Sequence, residues 1–308
     1  MTPKVSVIIP TYNRGHYIAQ AIDSVLKQSF QDFEIIVIDD GSTDNTQEVL
    51  KKFEGKINSI RQKNQGISRT RNRAIEESMG EYIAFLDSDD YWTPEKLELQ
   101  VNILNSNPKV GIVYARMPII NEHGEKIGMK PAGVSGRNFK ELLEVWGDLP
   151  TSTIMTRREC FHQVGLFDTS LATMEDIDMW IRIAKHFDLY EIENKVLAYY
   201  RRHEKQETTN KIKVYDGLVR IYTKIYTTYP EAPKKLMIQR IVENQYTLAK
   251  ENYVEGYYKN AFNHAWTAIR RYPLLGFLFI NKNDNFLSRL TKPFKPYGLL
   301  IMSYLKSI

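Results

Sequence analysis

Asp87-Ser88-Asp89-Asp90 follows directly on the apolar run Tyr82–Leu86, so its carboxylates sit where a buried strand ends. Hard carboxylate oxygens at such a place suit Mg2+ or Mn2+, which bridge a few protein ligands to substrate phosphates. Thr93-Pro94-Glu95 reads as a helix start, and acidic residues just before a helix also serve its exposed N–H groups and dipole. The acidic turn alone does not separate these two uses. Ile9-Pro10-Thr11-Tyr12-Asn13 ends another apolar run with a proline, a hydroxyl, an aromatic face and an amide. A nucleobase needs a flat surface and a few directional hydrogen bonds, which that set can supply, although Pro10 and Asn13 also suit a plain turn. A third run, Val37-Ile38, ends in Asp39-Asp40-Gly41-Ser42-Thr43-Asp44. A carboxylate there can accept from a base N–H or a ribose hydroxyl, or cap the turn.

The elements that must position these groups alternate. Val5–Ile9, Glu34–Asp39, Ile57–Gln62, Tyr82–Leu86 and Gly111–Ala115 read as strands, rich in β-branched residues. His16–Gln28 carries Tyr17, Ile18, Ala21, Ile22, Val25 and Leu26 on one helical stripe, and Thr43–Phe53 and Ile67–Ser78 show the same period. Strand, helix, strand implies a parallel sheet, whose ligands bind beyond the carboxyl ends of the strands, where the three polar loops lie. Met117 to about Val164 shows no clear period, being rich in Gly and Pro. A helical pattern returns at Met174–Phe187, followed by strand-like Leu189–Ile192 and Leu197–Tyr200.

Bulk properties exclude several classes. The 308 residues carry a net charge of only +5, with Lys and Arg spread along the chain, so no nucleic-acid footprint is expected. A single cysteine, Cys160, excludes an internal disulfide and makes the cytosol the default expectation. The N-terminus lacks the pattern of a secretory signal, and no stretch offers the roughly 18 uninterrupted apolar residues of a membrane span.

Taken in order and spacing, Pro10-Thr11-Tyr12-Asn13, Asp39-Asp40-Gly41-Ser42-Thr43-Asp44, Asn64-Gln65-Gly66, Arg71-Asn72 and Asp87-Ser88-Asp89 resemble the family 2 glycosyltransferases of the GT-A fold. The resemblance covers about Lys4–His203. It implies an α/β, Rossmann-like domain over residues 1–206, with a mostly parallel central sheet flanked by helices; the helical C-terminal region expected over 207–308 is read from composition and periodicity instead. It also implies an inverting transfer of a sugar from a nucleotide diphosphate, by expectation a UDP-sugar, to an acceptor hydroxyl in cell-surface polysaccharide or glycoconjugate assembly. Pro10, Thr11, Tyr12 and Asp40 would surround the nucleobase and ribose, with Asp39 supporting the loop. Arg71 would approach the donor, although the neighbouring Arg69 and Arg73 leave that choice open. In the aspartate-any-aspartate motif, Asp89 would bind Mn2+ or Mg2+ directly, Asp87 would be shared between ribose and metal, and Ser88 would stand beside the donor. His203 matches a histidine that completes the metal site in some members. In Met174-Glu175-Asp176-Ile177-Asp178-Met179-Trp180, Asp176 matches the catalytic base, with Glu175 and Trp180 on the acceptor side. The same acids also suit a helix N-terminus, and Trp180 also suits a core.

Beyond about Glu207 the chain is Lys-, Tyr- and Leu-rich with helical periodicity, for an expected three to five helices, and Tyr246–Arg271 resembles one tetratricopeptide-like hairpin. Leu274–Ile308 interleaves Phe277, Phe279, Phe286, Phe294 and Tyr297 with Lys282, Arg289, Lys292, Lys295 and Lys306. That pattern suits peripheral contact with an anionic lipid surface carrying lipid-linked acceptors, and equally a packed helix with its lysines in water. A different class of function is a silent nucleotide-sugar binder whose helical tail recruits a partner, against which the intact Asp87, Asp89 and Asp176 argue. A dinucleotide-binding dehydrogenase is disfavoured because Pro10–Gly15 lacks the spaced glycines.

Overall fold

The computed structural model describes residues 2–130, 139–145, 149–204, 206–271 and 300. The chain divides into two units, Met1–His203 and Glu204–Ile308. The first runs β1 Val5–Thr11, α1 Ile18–Leu26, β2 Phe33–Asp39, α2 Thr46–Lys51, β3 Asn58–Arg61, α3 Ile67–Glu77, β4 Tyr82–Phe85, β5 Tyr91–Trp92 and α4 Lys96–Ser106. It continues with β6 Val110–Ala115, β7 Pro118–Ile120, β8 Lys126–Met129, α5 Phe139–Val145, β9 Met155–Arg157, α6 Arg158–Val164, α7 Glu175–Ala184, β10 Asp188–Ile192 and β11 Ala198–Arg201.

Seven strands form one sheet in the order β10-β6-β9-β4-β1-β2-β3. Its pairings are parallel except at β9, which runs antiparallel to both β4 and β6. This is the mostly parallel, helix-flanked sheet expected from the sequence. Helix α3 packs on β1 and β2, and α4 on β6. With both faces covered, β1 and β4 are buried along their whole length, which is why they read as unbroken apolar runs rather than alternations. A smaller sheet, β5-β11-β7-β8, lies in part within the stretch whose topology periodicity left open.

Pro10 has a specific place in this sheet. Leu86 N–H donates to the Ile8 carbonyl, and the next link between β1 and β4 would need an amide hydrogen at Pro10, which has none. The ladder to β4 therefore ends at Ile8–Phe85 while that to β2 continues through Thr11–Asp39. The two strands are free to part where the Asp87 loop begins.

The loop after β2 depends on Gly41, which has φ +82° and would place a Cβ 2.9 Å from the Asn64 amide nitrogen and 3.2 Å from the Gln62 carbonyl. A side chain there is strained and displaces backbone. Gly41→Ala is expected to cost about 1–3 kcal/mol, read as a lower midpoint in denaturant; an unchanged midpoint would show that the loop yields without cost.

The second unit contains α8 Lys211–Thr228, α9 Lys234–Val254 and α10 Tyr258–Arg271, with α9 packed against both of the others. Asn210 caps α8, its side chain accepting from Lys213 N–H at 3.0 Å. Ala261, Ala265 and Ala268 form the buried stripe of α10, small residues that let the helices approach closely. No described helix is long and apolar enough to cross a membrane. The expected lipid contact of Leu274–Ile308 lies outside the described residues.

Candidate active site

The carboxyl ends of β1 and β2 are clasped by Asn13. Its backbone is left-handed at φ 53°, its N–H donates to Ser42 Oγ at 2.8 Å, and its Oδ1 accepts from Thr43 N–H at 2.7 Å and Asp44 N–H at 3.3 Å. Beside this clasp Tyr12 is 44% exposed, while Thr11 is buried with its hydroxyl lacking a hydrogen-bond partner. Pro10 is buried in the strand.

Asp39 is fully buried and accepts from Ser42 N–H at 2.9 Å and from the Gln47 side-chain amide, so it holds its own loop. Asp40, expected at the base and ribose, has both oxygens engaged inside the protein. Oδ1 accepts from Gln62 Nε2 at 2.8 Å and Gln65 N–H at 2.9 Å, and Oδ2 from Gly66 N–H at 2.8 Å. It braces the turn that starts α3, and its free acceptor capacity is reduced accordingly.

Of the three arginines on α3, the structure brings Arg71 into the site. It lies in phase with Ala74 and Ile75 on the buried face, whereas Arg69 is exposed. Its Nη2 donates to Asp87 Oδ1 at 2.9 Å and its Nη1 to Glu175 Oε1 at 2.6 Å, and the guanidinium lies over the Phe167 ring. A planar fork suits such a bridge between two carboxylates. Burial and the neighbouring Asp176 charge push the Glu175 carboxyl up to about 7, with Arg71 working against them.

Asp89 Oδ2 meets His203 Nε2 at 2.9 Å and Arg14 Nε at 3.2 Å. Burial opposes its charge, yet the His203 hydrogen bond and the Arg14 guanidinium hold this carboxyl below its ordinary range. Tyr17 stacks on His203, with ring centroids 4.8 Å apart, and fixes the imidazole plane. Asp90 serves the scaffold: it is buried, accepting from Ser152 Oγ at 2.6 Å and Arg201 N–H at 3.0 Å. Burial, with Asp89 and Asp87 adding like charge, pushes its carboxyl well above the ordinary range. Ser88 is buried between these acids.

Among the described residues no group of three or more His, Cys, Asp or Glu is arranged to hold a metal ion. The chemistry of the Asp89 and His203 pair nevertheless suits one. The two side chains meet in a 2.9 Å hydrogen bond, and together they offer a carboxylate oxygen and an imidazole nitrogen at one place. The Asp87 side chain is 33% exposed and can still meet a ligand.

Helix α7 begins after Met174, whose left-handed φ of 63° is uncommon for a residue with a long side chain. That turn delivers Glu175 and Asp176 in opposite manners. Asp176 is half-buried, its Oδ1 accepting from Ile177 N–H at 2.8 Å and its Oδ2 from Thr151 Oγ1 at 3.0 Å. Glu175, expected on the acceptor side, is instead buried against Arg71. Trp180 is likewise corrected: only 1% exposed, it packs edge-on against Phe85 and Phe167. Its phase with Ile177, Ile181 and Ala184 marks it as part of the buried stripe, so it offers no wall to an acceptor.

In sequence, Leu149-Pro150-Thr151-Ser152-Thr153 resembles the family segment that faces the acceptor, with hydroxyls suited to hydrogen-bonding sugar; in the structure the Thr151 and Ser152 hydroxyls engage the site's own acids. The turn Thr151–Thr153 feeds hydroxyls to both halves, Ser152 to the Asp87 loop and Thr151 to Asp176. Its three consecutive hydroxyl residues were the available signal.

Residues 6–165 match the profile of glycosyl transferase family 2. An uncharacterized glycosyltransferase of Rickettsia typhi is 33% identical over 228 residues, covering 70% of this chain and 70% of that protein. A Bacillus subtilis glycosyltransferase named for teichuronic acid biosynthesis, TuaG, is 32% identical over 68% of this chain and 84% of its own length. The match to a Rickettsia felis glycosyltransferase, 35% identical over 66% of this chain, spans only 35% of that relative. The fold is similar to that of Staphylococcus aureus TarS 1-349 in complex with UDP-GlcNAc, with a TM-score of 0.63 and 20% identity over 99% of this chain and 92% of that one. It is also similar to that of the mannosyltransferase PcManGT from Pyrobaculum calidifontis in complex with GDP-Man and Mn2+, with a TM-score of 0.58 and 18% identity over 99% and 87%.

Proposed function

The chain belongs to glycosyltransferase family 2, and on that premise we propose that it inverts the anomeric centre of a UDP-sugar as it transfers the sugar to a carbohydrate or lipid-linked acceptor. The observation that carries this reading is the Arg71 bridge: one buried guanidinium holds Asp87 of the donor-side loop and Glu175, the immediate neighbour of Asp176, in a single site. The TarS complex with UDP-GlcNAc supports a uridine donor, and the name of the B. subtilis relative supports a cell-surface polysaccharide as product. Residues 1–206 would carry the chemistry and 207–308 would form the appended helical region.

In this reading the exposed Tyr12 ring and the buried Thr11 hydroxyl receive the nucleoside, and Arg14, Arg71 and His203 surround the diphosphate. Asp89 and His203, with Asp87, would hold Mn2+ or Mg2+. When bound, the ion supplies positive charge against the departing diphosphate. The acceptor oxygen forms its bond to the anomeric carbon as the bond from that carbon to the diphosphate oxygen breaks, and the electron pair leaves with the diphosphate. Asp176 takes the proton of the acceptor hydroxyl.

Thermal unfolding with nucleoside diphosphates tests the donor side. UDP with Mn2+ is expected to raise the Tm, by the equivalent of about 2.7 kcal/mol at a hundredfold excess over Kd, and Asp89→Ala to lose the Mn2+-dependent part. A larger shift with GDP or TDP would reassign the donor; no shift with any nucleotide would contradict the reading.

A further inference from the structure

Thr151 is buried, and its hydroxyl donates to Asp176 Oδ2 at 3.0 Å. What distinguishes this contact from an incidental one is how firmly the donor is held. Ser152 Oγ accepts from Asp87 N–H at 3.1 Å and donates to Asp90 at 2.6 Å, and the Ser152 carbonyl accepts from Trp92 Nε1 at 2.7 Å. Thr153 Oγ1 donates to the Pro150 carbonyl at 2.8 Å and accepts from Ala115 N–H at 3.3 Å, while its own carbonyl accepts from Gln100 Nε2 at 2.7 Å. The turn is thus tied to the ends of β4 and β6, to β5 and to α4. Within its own helix the Asp176 carboxylate accepts only from the adjacent Ile177 N–H among the described residues, through Oδ1, which leaves Oδ2 to Thr151.

We propose that Thr151 is a positioning residue for Asp176. Its hydroxyl sets the rotation of the carboxylate, and the Ser152 link from the same turn to the Asp87 amide holds the base at a constant place relative to the donor loop. The inference rests on Asp176 acting as the base. A carboxylate free to rotate spends less time with a lone pair aimed at the acceptor hydroxyl, so loss of this hydrogen bond lowers kcat without weakening the donor.

Valine keeps the shape of threonine without the O–H; serine keeps the O–H without the methyl. The 308-residue chain is assayed for nucleoside diphosphate release, with Thr151→Val, Thr151→Ser and Asp176→Asn in parallel and UDP affinity measured for each. Thr151→Val is expected to lose about tenfold or more in kcat at unchanged UDP affinity, and Thr151→Ser to stay within about twofold of the native chain. Packing alone would produce the reverse order, with valine tolerated and serine impaired, and that result overturns the proposal. Loss of activity in Asp176→Asn together with native kcat in Thr151→Val overturns the positioning role alone. Native turnover by Asp176→Asn overturns the base assignment and this inference with it.

Discussion

Asp176→Asn is expected to lower turnover by about 10²- to 10⁴-fold, the range of a missing general base, while leaving UDP affinity and the Tm essentially unchanged. Asparagine keeps the size of the side chain: its Oδ1 can still accept from Ile177 N–H, and its amide nitrogen, standing where Oδ2 was, can donate to the Thr151 hydroxyl, which turns to accept. It cannot take a proton. Because the proton moves only as the acceptor attacks, the loss belongs to kcat and kcat/KM together. Parallel assays of nucleoside diphosphate release and UDP binding check this; a variant that binds UDP poorly but turns over normally at saturation would contradict it.

Arg71→Met is expected to have the largest effect on stability. It leaves Glu175, and in part Asp87, buried without the cation that bridges them, a change that typically costs about 3–5 kcal/mol. The loss has a defined pH dependence. With Arg71 present the Glu175 carboxyl stands at about 7, above its ordinary value, and without it the folded value rises further. In the unfolded chain Glu175 gives up its proton at lower pH, so stability of the variant falls as pH rises from the ordinary glutamate range through about 7 and beyond. Denaturant midpoints at acidic and alkaline pH measure this directly. Adding Glu175→Gln should recover part of the loss, since one of the two stranded charges is then absent. Equal midpoints for the native chain and Arg71→Met would show that the bridge does not stabilise the fold.

How far this arrangement was legible in the sequence depended on whether its cause was local. The unbroken apolar runs that became β1, β2 and β4 declared themselves because both faces of a parallel sheet are buried. The three-residue β9 was not legible, being too short to show a period and running against its neighbours. Two of the site's placements were written in helical phase and only needed reading: Arg71 with Ala74 and Ile75, and Trp180 with Ile177, Ile181 and Ala184. The role of Asp40 was hidden, because backbone amides of Gln65 and Gly66 are its partners and any residue type supplies those. The Arg71–Glu175 and Asp87–Ser152 contacts join positions 104 and 65 residues apart, and only the folded sheet brings them together.

Inversion itself can be tested without knowing the acceptor, because water can take its place at the anomeric carbon. Proton NMR of the sugar first released from an α-linked UDP-sugar, recorded before mutarotation, is the measurement of choice, with Asp176→Asn as control. The β anomer appearing first, and only with Asp176 intact, is the expected result; the α anomer appearing first would contradict a single displacement assisted by Asp176.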